Sequence, residues 1–136
     1  METIIPTSKS DRHQITWDKY QADIEVLAQQ IDFDMCKMRE KFTGIYGIPR
    51  GGLVVAVSLS HILGLPLIRD IEKVTESVLI VDDLVDTGKQ MLKYNELRHS
   101  IATLYRKDCT MVEPDYSVET INAHIIFPWE TEVSTL

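Results

Sequence analysis

The sequence predicts an α/β protein built on a doubly wound parallel sheet flanked by helices, and three observations carry that prediction. Val78 to Val81 is a continuous apolar run in which three of the four residues are β-branched, which suits a strand buried on both faces of a parallel sheet. Short runs of this kind alternate along the chain with stretches of helical periodicity, an order that calls for parallel strands joined by crossing helices. The central run ends in Asp82-Asp83, and Asp86-Thr87-Gly88-Lys89 follows before a helical pattern begins at Gln90. Open α/β sheets bind ligands at that place, where a strand ends and the next helix starts.

In chain order, residues 1–15 read as a loose arm. Thr16 is a fair N-cap, with Asp18 favouring the positive end of a helix. Trp17, Tyr20, Ile24, Leu27, Ala28 and Ile31 follow at spacings of three and four, so this first helix packs on the sheet, with Trp17 expected in the core. Phe42 to Ile48 reads as the first core strand, ending in the turn Pro49-Arg50-Gly51-Gly52. Leu53 to Leu63 is apolar nearly all round, the pattern of a helix buried on every side; Gly64 ends it, and His61 belongs to its end or surface. Leu65 to Ile68 is a second strand, Gln90 to Arg98 a helix and Ile101 to Tyr105 a further strand. Residues 108–123 read as irregular and polar, and His124 to Glu130 closes the pattern, with Trp129 as a packing residue.

Composition sets the bounds. The 136 residues suit one domain, 1–136, and 44% hydrophobic with 26% charged residues is ordinary for a soluble globular chain. A net charge of −7 with no basic run argues against a nucleic-acid partner. No apolar segment is long enough to span a bilayer. Met1 to Pro6 lacks a basic start and a hydrophobic signal core, and Cys36 and Cys109, in no metal-ligand spacing, read as reduced thiols. A cytoplasmic protein with no membrane partner is therefore expected.

The chemistry concentrates in Val78 to Gln90. Asp82 and Asp83 sit at a strand end, where an exposed pair of carboxylates binds hydroxyls or associates with a metal. Unpaired backbone N–H groups and the helix dipole there favour an anion, and Gly88 lets the backbone curl closely around a phosphate. A phosphorylated sugar needs that combination. The plainer alternative is that the acidic pair merely ends a strand and Asp86 caps a helix. A Walker A loop is ruled out: it would need glycine at position 83 and Ser or Thr at position 90, where this chain has Asp83 and Gln90. Arg50 offers a fork of donors for phosphate oxygens, or is a solvated arginine at a simple strand-to-helix turn. Lys107 and His124 read equally as a surface lysine and an exposed strand-end histidine.

Val78 to Lys89 closely resembles the phosphoribosyl-pyrophosphate (PRPP) motif of the type I phosphoribosyltransferases. Pro49 to Gly52 resembles the pyrophosphate-binding loop of the same family, and Thr16-Trp17-Asp18 and Pro128-Trp129-Glu130 resemble its bacterial xanthine-guanine members. The resemblance implies transfer of 5-phosphoribosyl from PRPP to a purine-like base, with Mg2+ as cofactor. It implies that Asp82 and Asp83 hold the ribose diol, Asp83 being the metal-linked one, and that Asp86 exchanges a proton with the base. Thr87, Gly88, Lys89 and Gln90 would hold the 5′-phosphate, with Gln90 standing where the family usually has Thr or Ser. Arg50 and Gly51 would hold pyrophosphate, with a cis peptide expected between Pro49 and Arg50. Lys107 falls at the lysine that recognises the exocyclic oxygen of a 6-oxopurine. His124 falls where a tryptophan stacks on the purine, and Ile125 where backbone contacts it. The family's long flap has only Arg69 to Ser77, nine residues, in its place, which implies a reduced hood and a site open to water. A homodimer or higher homo-oligomer is implied, and a neighbouring subunit is one way to cover such a site. The alternative function is a non-catalytic PRPP- or nucleotide-binding sensor or scaffold.

Overall fold

A computed structural model describes residues 12–130. Its main sheet contains four parallel strands in the order β2 (Gly44–Gly47), β3 (Val78–Val85), β4 (Ile101–Arg106) and β5 (Tyr116–Thr120). A single parallel bridge from Leu67 to Ile45 extends the β2 edge. The chain therefore leaves β2, visits one side through Leu67 and returns on the other side as β3. That reversal makes a crevice at the carboxyl ends of β2 and β3, the topological switch point of a doubly wound sheet.

Helix α1 (Trp17–Cys36) starts where expected: the Thr16 hydroxyl accepts from the Lys19 N–H at 3.1 Å. Its buried face, Tyr20, Ile24, Leu27, Ala28 and Ile31, packs with α2 (Gly51–Leu63) over one side of the sheet. Leu27 is fully buried, so its truncation to Ala would cost about 2–5 kcal/mol. Gly64 ends α2 in the left-handed region, at φ 69°. On the opposite side, Met91 and Tyr94 join Tyr46, Ile80, Val85 and Val112 in a second core. Strands β1 (Arg12–Gln14) and β6 (His124–Ile126) pair in parallel as a separate two-stranded sheet.

Several expectations are corrected. The loose-arm reading of residues 1–15 lies outside the described residues for 1–11, whereas Arg12–Gln14 is a strand. Trp17 is 56% exposed, not core; it lies one turn before Tyr20 and rests its ring on Tyr20 and Trp129. Helix α2 is not buried on all sides: Val55, Ala56 and Leu59 face the core while Leu53, Val57 and Ile62 stay exposed. The strand expected at Leu65–Ile68 shrinks to one bridge, since only Ile45 of β2 exchanges hydrogen bonds with it. The helix expected at Gln90–Arg98 is a 3-10 turn (Lys89–Met91) followed by α3 (Leu92–Glu96), closed when Arg98 turns to φ 64°. Residues 108–123 contain β5, whose apolar residues Tyr116 and Val118 alternate with polar Ser117 and Glu119, the mark of a half-buried strand.

Candidate functional site

Strand β3 runs four residues beyond its apolar stretch, so Asp82 and Asp83 lie within its last half rather than after it. Asp82 is held in register with Thr103 of β4 and is only 8% exposed. This corrects the expectation of an exposed pair: the sheet continues past both carboxylates and α2 leans over them. Burial pushes both carboxyls above the usual carboxylate range, and the charge of Asp83 lifts Asp82 further. The Asp83 N–H donates to Asp82 Oδ1 at 2.8 Å, which partly offsets the cost of the charge.

The turn after β2 closes on this pair. The Pro49–Arg50 peptide is cis, as the resemblance implied. A Cβ built on Gly51 would sit 1.9 Å from Asp83 Oδ2, and one on Gly52 would sit 2.7 Å from the Val81 carbonyl oxygen. Only glycine lets the turn approach so closely. Arg50 is exposed at the start of α2, and among the described residues its guanidinium has no ion-pair partner.

Thr87 to Gln90 form the other wall. Gly88 has φ 86°, and a Cβ there would meet the Val112 N at 2.8 Å, so this position requires glycine twice over. The Thr87 hydroxyl accepts from the Lys89 N–H at 3.2 Å, and the Thr87 carbonyl accepts from the Met111 N–H at 2.8 Å. A cavity of about 300 Å³ is lined by Asp82, Asp86, Thr87, Gly88, Lys89 and Gln90 among others. A second, of about 560 Å³, spans from Lys89 and Gln90 to Ile48 and Pro49. Gln90 therefore faces both cavities, and its amide can donate to an anion in either.

Lys107 leaves β4 beside this wall, with its N–H donating to the Val85 carbonyl at 2.9 Å. Its ammonium donates to the Ala123 carbonyl, one residue before His124. Burial lowers its pKa, opposed in part by the charge of Asp86, so Asp86, Lys107 and the start of β6 converge. Ile125 is buried there, while His124 is exposed. A stack of Tyr105, Phe127 and Trp129 seats β6, with Phe127 and Trp129 centroids 4.8 Å apart and nearly parallel.

Sequence reasoning missed the clips that shape this side. The Asp108 N–H donates to Asn122 Oδ1 at 3.0 Å, and Asn122 Nδ2 donates back to Asp108 Oδ2 at 2.7 Å. Arg106 pairs with Glu113 across the same segment. No local pattern announces pairs separated by 14 and 7 residues. The segment Arg69–Ser77 holds one 3-10 turn (Ile71–Lys73), capped by Asp70, and no paired strands.

Among the described residues, no group of three or more His, Cys, Asp or Glu side chains is arranged to hold a metal ion. The donor set instead suits a magnesium ion shared with substrate oxygens, which characteristically takes one or two carboxylates from the protein. A buried Asp82 beside a half-buried Asp83, two crowded carboxyls whose charged forms are disfavoured, fits such an ion, since its charge would relieve them. No helix among the described residues is long and apolar enough to cross a membrane.

No family model matches the chain. The xanthine-guanine phosphoribosyltransferase of Desulfotalea psychrophila is 31% identical over 145 residues, covering 88% of this chain and 87% of that protein. A crystal structure of a purine phosphoribosyltransferase from Pyrococcus horikoshii is 33% identical, with a TM-score of 0.73 over 89% of this chain and 95% of that one. The xanthine-guanine-hypoxanthine phosphoribosyltransferase of Helicobacter pylori, at 20% identity and a TM-score of 0.71 over 91% of this chain and 97% of that one, shares the fold.

Proposed function

The chain belongs to the type I phosphoribosyltransferases, and from that membership we propose that it transfers 5-phosphoribosyl from PRPP to a 6-oxopurine (xanthine, guanine or hypoxanthine), releasing pyrophosphate. The observation that carries the proposal is the meeting, at the switch point, of the buried Asp82 and half-buried Asp83 with the glycine turn after β2 and the Thr87–Gln90 cradle. Each wall suits one part of PRPP. Asp82 and Asp83 accept hydrogen bonds from the ribose diol. Thr87, Gly88, Lys89 and Gln90 present N–H, hydroxyl, ammonium and amide donors to the 5′-phosphate. Arg50 and the Gly51 backbone take the pyrophosphate.

Asp83 is the side chain that would hold magnesium; the bound ion would neutralise charge on the departing pyrophosphate. The reaction breaks the bond from C1′ to pyrophosphate oxygen and forms one from C1′ to a purine ring nitrogen. The proton on that nitrogen passes to Asp86, which is exposed at the mouth of the cavity. Lys107 donates to the exocyclic oxygen of the purine, His124 stacks on its ring, and Ile125 meets it through backbone.

Purified protein supplied with PRPP, magnesium and a panel of purines tests the proposal. Pyrophosphate release that depends on a 6-oxopurine is expected. PRPP binding without turnover would instead mark a sensor or scaffold, and no PRPP binding would refute the site.

A further inference from the structure

Strands β4 and β5 are parallel neighbours, yet no helix joins them. The chain crosses over through residues 107–115, an irregular segment shorter than the dozen or so residues such crossovers usually need. A segment with so little regular backbone bonding has to be shaped by side chains. Arg106, the last residue of β4, does most of that shaping. Its guanidinium pairs with the Glu113 carboxylate through both terminal nitrogens. Its Nε donates to the Lys107 carbonyl at 3.1 Å, and Nη2 donates to the Asp108 carbonyl at 3.3 Å and the Thr110 hydroxyl at 3.4 Å. Arg106 thus ties the first residues of the crossover to its far side.

The crossover is also a wall of both halves of the site. At one end it carries Lys107, whose ammonium reaches the start of β6. At the other, the Met111 N–H donates to the Thr87 carbonyl, and the Val112 backbone packs against Gly88. Val112 is itself buried in the second core beside Met91 and Val85, so the segment cannot shift at one end without disturbing the other. An arginine suits this hub better than a lysine: its planar fork serves a carboxylate, two carbonyls and a hydroxyl together.

The geometry points to Arg106 as a positioning residue that fixes the 107–113 segment as the shared wall of the base and 5′-phosphate subsites. The assignment rests on the transfer reaction proposed above for the meaning of the two subsites, and on geometry alone for their coupling. It implies that loosening one residue, remote from the ribose, weakens two ligands at once.

The test compares Arg106→Ala, Arg106→Lys and Glu113→Ala with the unaltered protein. Glu113 is at the surface, so its replacement leaves folding intact even if Arg106→Ala does not fold. Three quantities are read: the Kd of ribose 5-phosphate by calorimetry, and the KM for purine and kcat at saturating substrates. In Arg106→Ala, Kd and KM should rise together, each on the order of tenfold for the loss of a charge-assisted tether, with kcat changed less. Arg106→Lys should restore part of both losses, and Glu113→Ala should show both in smaller degree. A lowered Tm with Kd and KM unchanged in Arg106→Lys and Glu113→Ala would overturn the assignment, as would a rise in only one of the two constants. If the unaltered protein binds ribose 5-phosphate but turns over no purine, the transfer reaction fails. The coupling is then read from Kd together with hydrogen exchange at the Met111 amide, which should quicken in Glu113→Ala. No binding of ribose 5-phosphate by the unaltered protein would refute both.

Discussion

The two halves of the candidate site are built by different means. The half proposed for ribose and phosphate, at the ends of β2 and β3, is made of backbone: a glycine turn against Asp83, a left-handed Gly88, and a strand carrying two carboxylates. The half proposed for the base, around Lys107, His124 and Ile125, is made of side-chain clips between distant residues, Asn122 to Asp108 and Lys107 to Ala123. Backbone sites leave marks in a contiguous stretch of sequence, because only certain residues adopt the needed conformations. Clipped sites leave none, since their partners are brought together only by the fold.

If the first half is the rigid one, damage there should be severe and specific. Replacing Asp82 and Asp83 together by Asn should abolish magnesium-dependent PRPP binding, read by calorimetry; unchanged affinity would remove both from the site. Their burial adds a second expectation. A carboxyl whose folded-state pKa lies above its unfolded value stabilises the fold only while protonated. That contribution is complete below the ordinary carboxylate range and is lost as pH rises through the raised value. The Asp82 and Asp83 shifts are both upward, so the fold should lose stability from mildly acidic toward alkaline pH. Asp82→Asn should then gain on the order of 1–2 kcal/mol at neutral pH, a gain that shrinks at pH 4. Thermal melting across pH checks this, and a loss of stability at neutral pH would contradict it.

Gly51→Ala probes the same half more gently. Its Cβ would collide with a side-chain carboxylate that can rotate away, so the fold should survive while Asp83 is displaced. A displacement on the order of 1 Å in a reacting site costs about 10²-fold in turnover. Steady-state kinetics with an unchanged melting curve is the expected pair of results.

The legible and illegible parts divide along the same line. The parallel sheet, α1 with its Thr16 cap and the glycine turns follow from residues close together in the chain, whereas the cis Pro49–Arg50 peptide was implied only by the family resemblance. The sheet order, the continuation of β3 past Asp83 and the burial of Asp82 depend on neighbouring strands, which a single stretch does not reveal. Strand β5 was hidden because its alternation runs over only Tyr116–Thr120, with two apolar residues inside a polar stretch, and the break in the 89–96 helix because its burial needs only Met91 and Tyr94. Trp17 was misread because an aromatic at helical spacing looks like core even in the first exposed turn.

Smaller effects sharpen the contrast. Gln90→Thr should tighten ribose 5-phosphate binding if a hydroxyl suits the cradle better, with about 1.5–3 kcal/mol as the ceiling for one hydrogen bond to a charged group. A loss of affinity on calorimetry would mean that the amide already makes that contact. On the clipped side, Asn122→Ala removes both hydrogen bonds to the exposed Asp108. It should raise the KM for purine severalfold, about 1 kcal/mol, and the KM for PRPP by less, because Asp108 lies at the base end of the 107–113 wall; a larger rise for PRPP than for purine would contradict this placement.

Arg69–Ser77 holds a 3-10 turn and no paired strands, so the proposed transfer takes place without a long flap. A site without such a flap would leave the ribosyl centre open to the water that closing loops otherwise exclude. The most direct measurement is the ratio of nucleotide formed to pyrophosphate released, taken across protein concentrations. A 6-oxopurine-dependent ratio below one is expected, falling on dilution if a partner subunit lends cover. A ratio of one at every dilution, with rapid turnover, would contradict it.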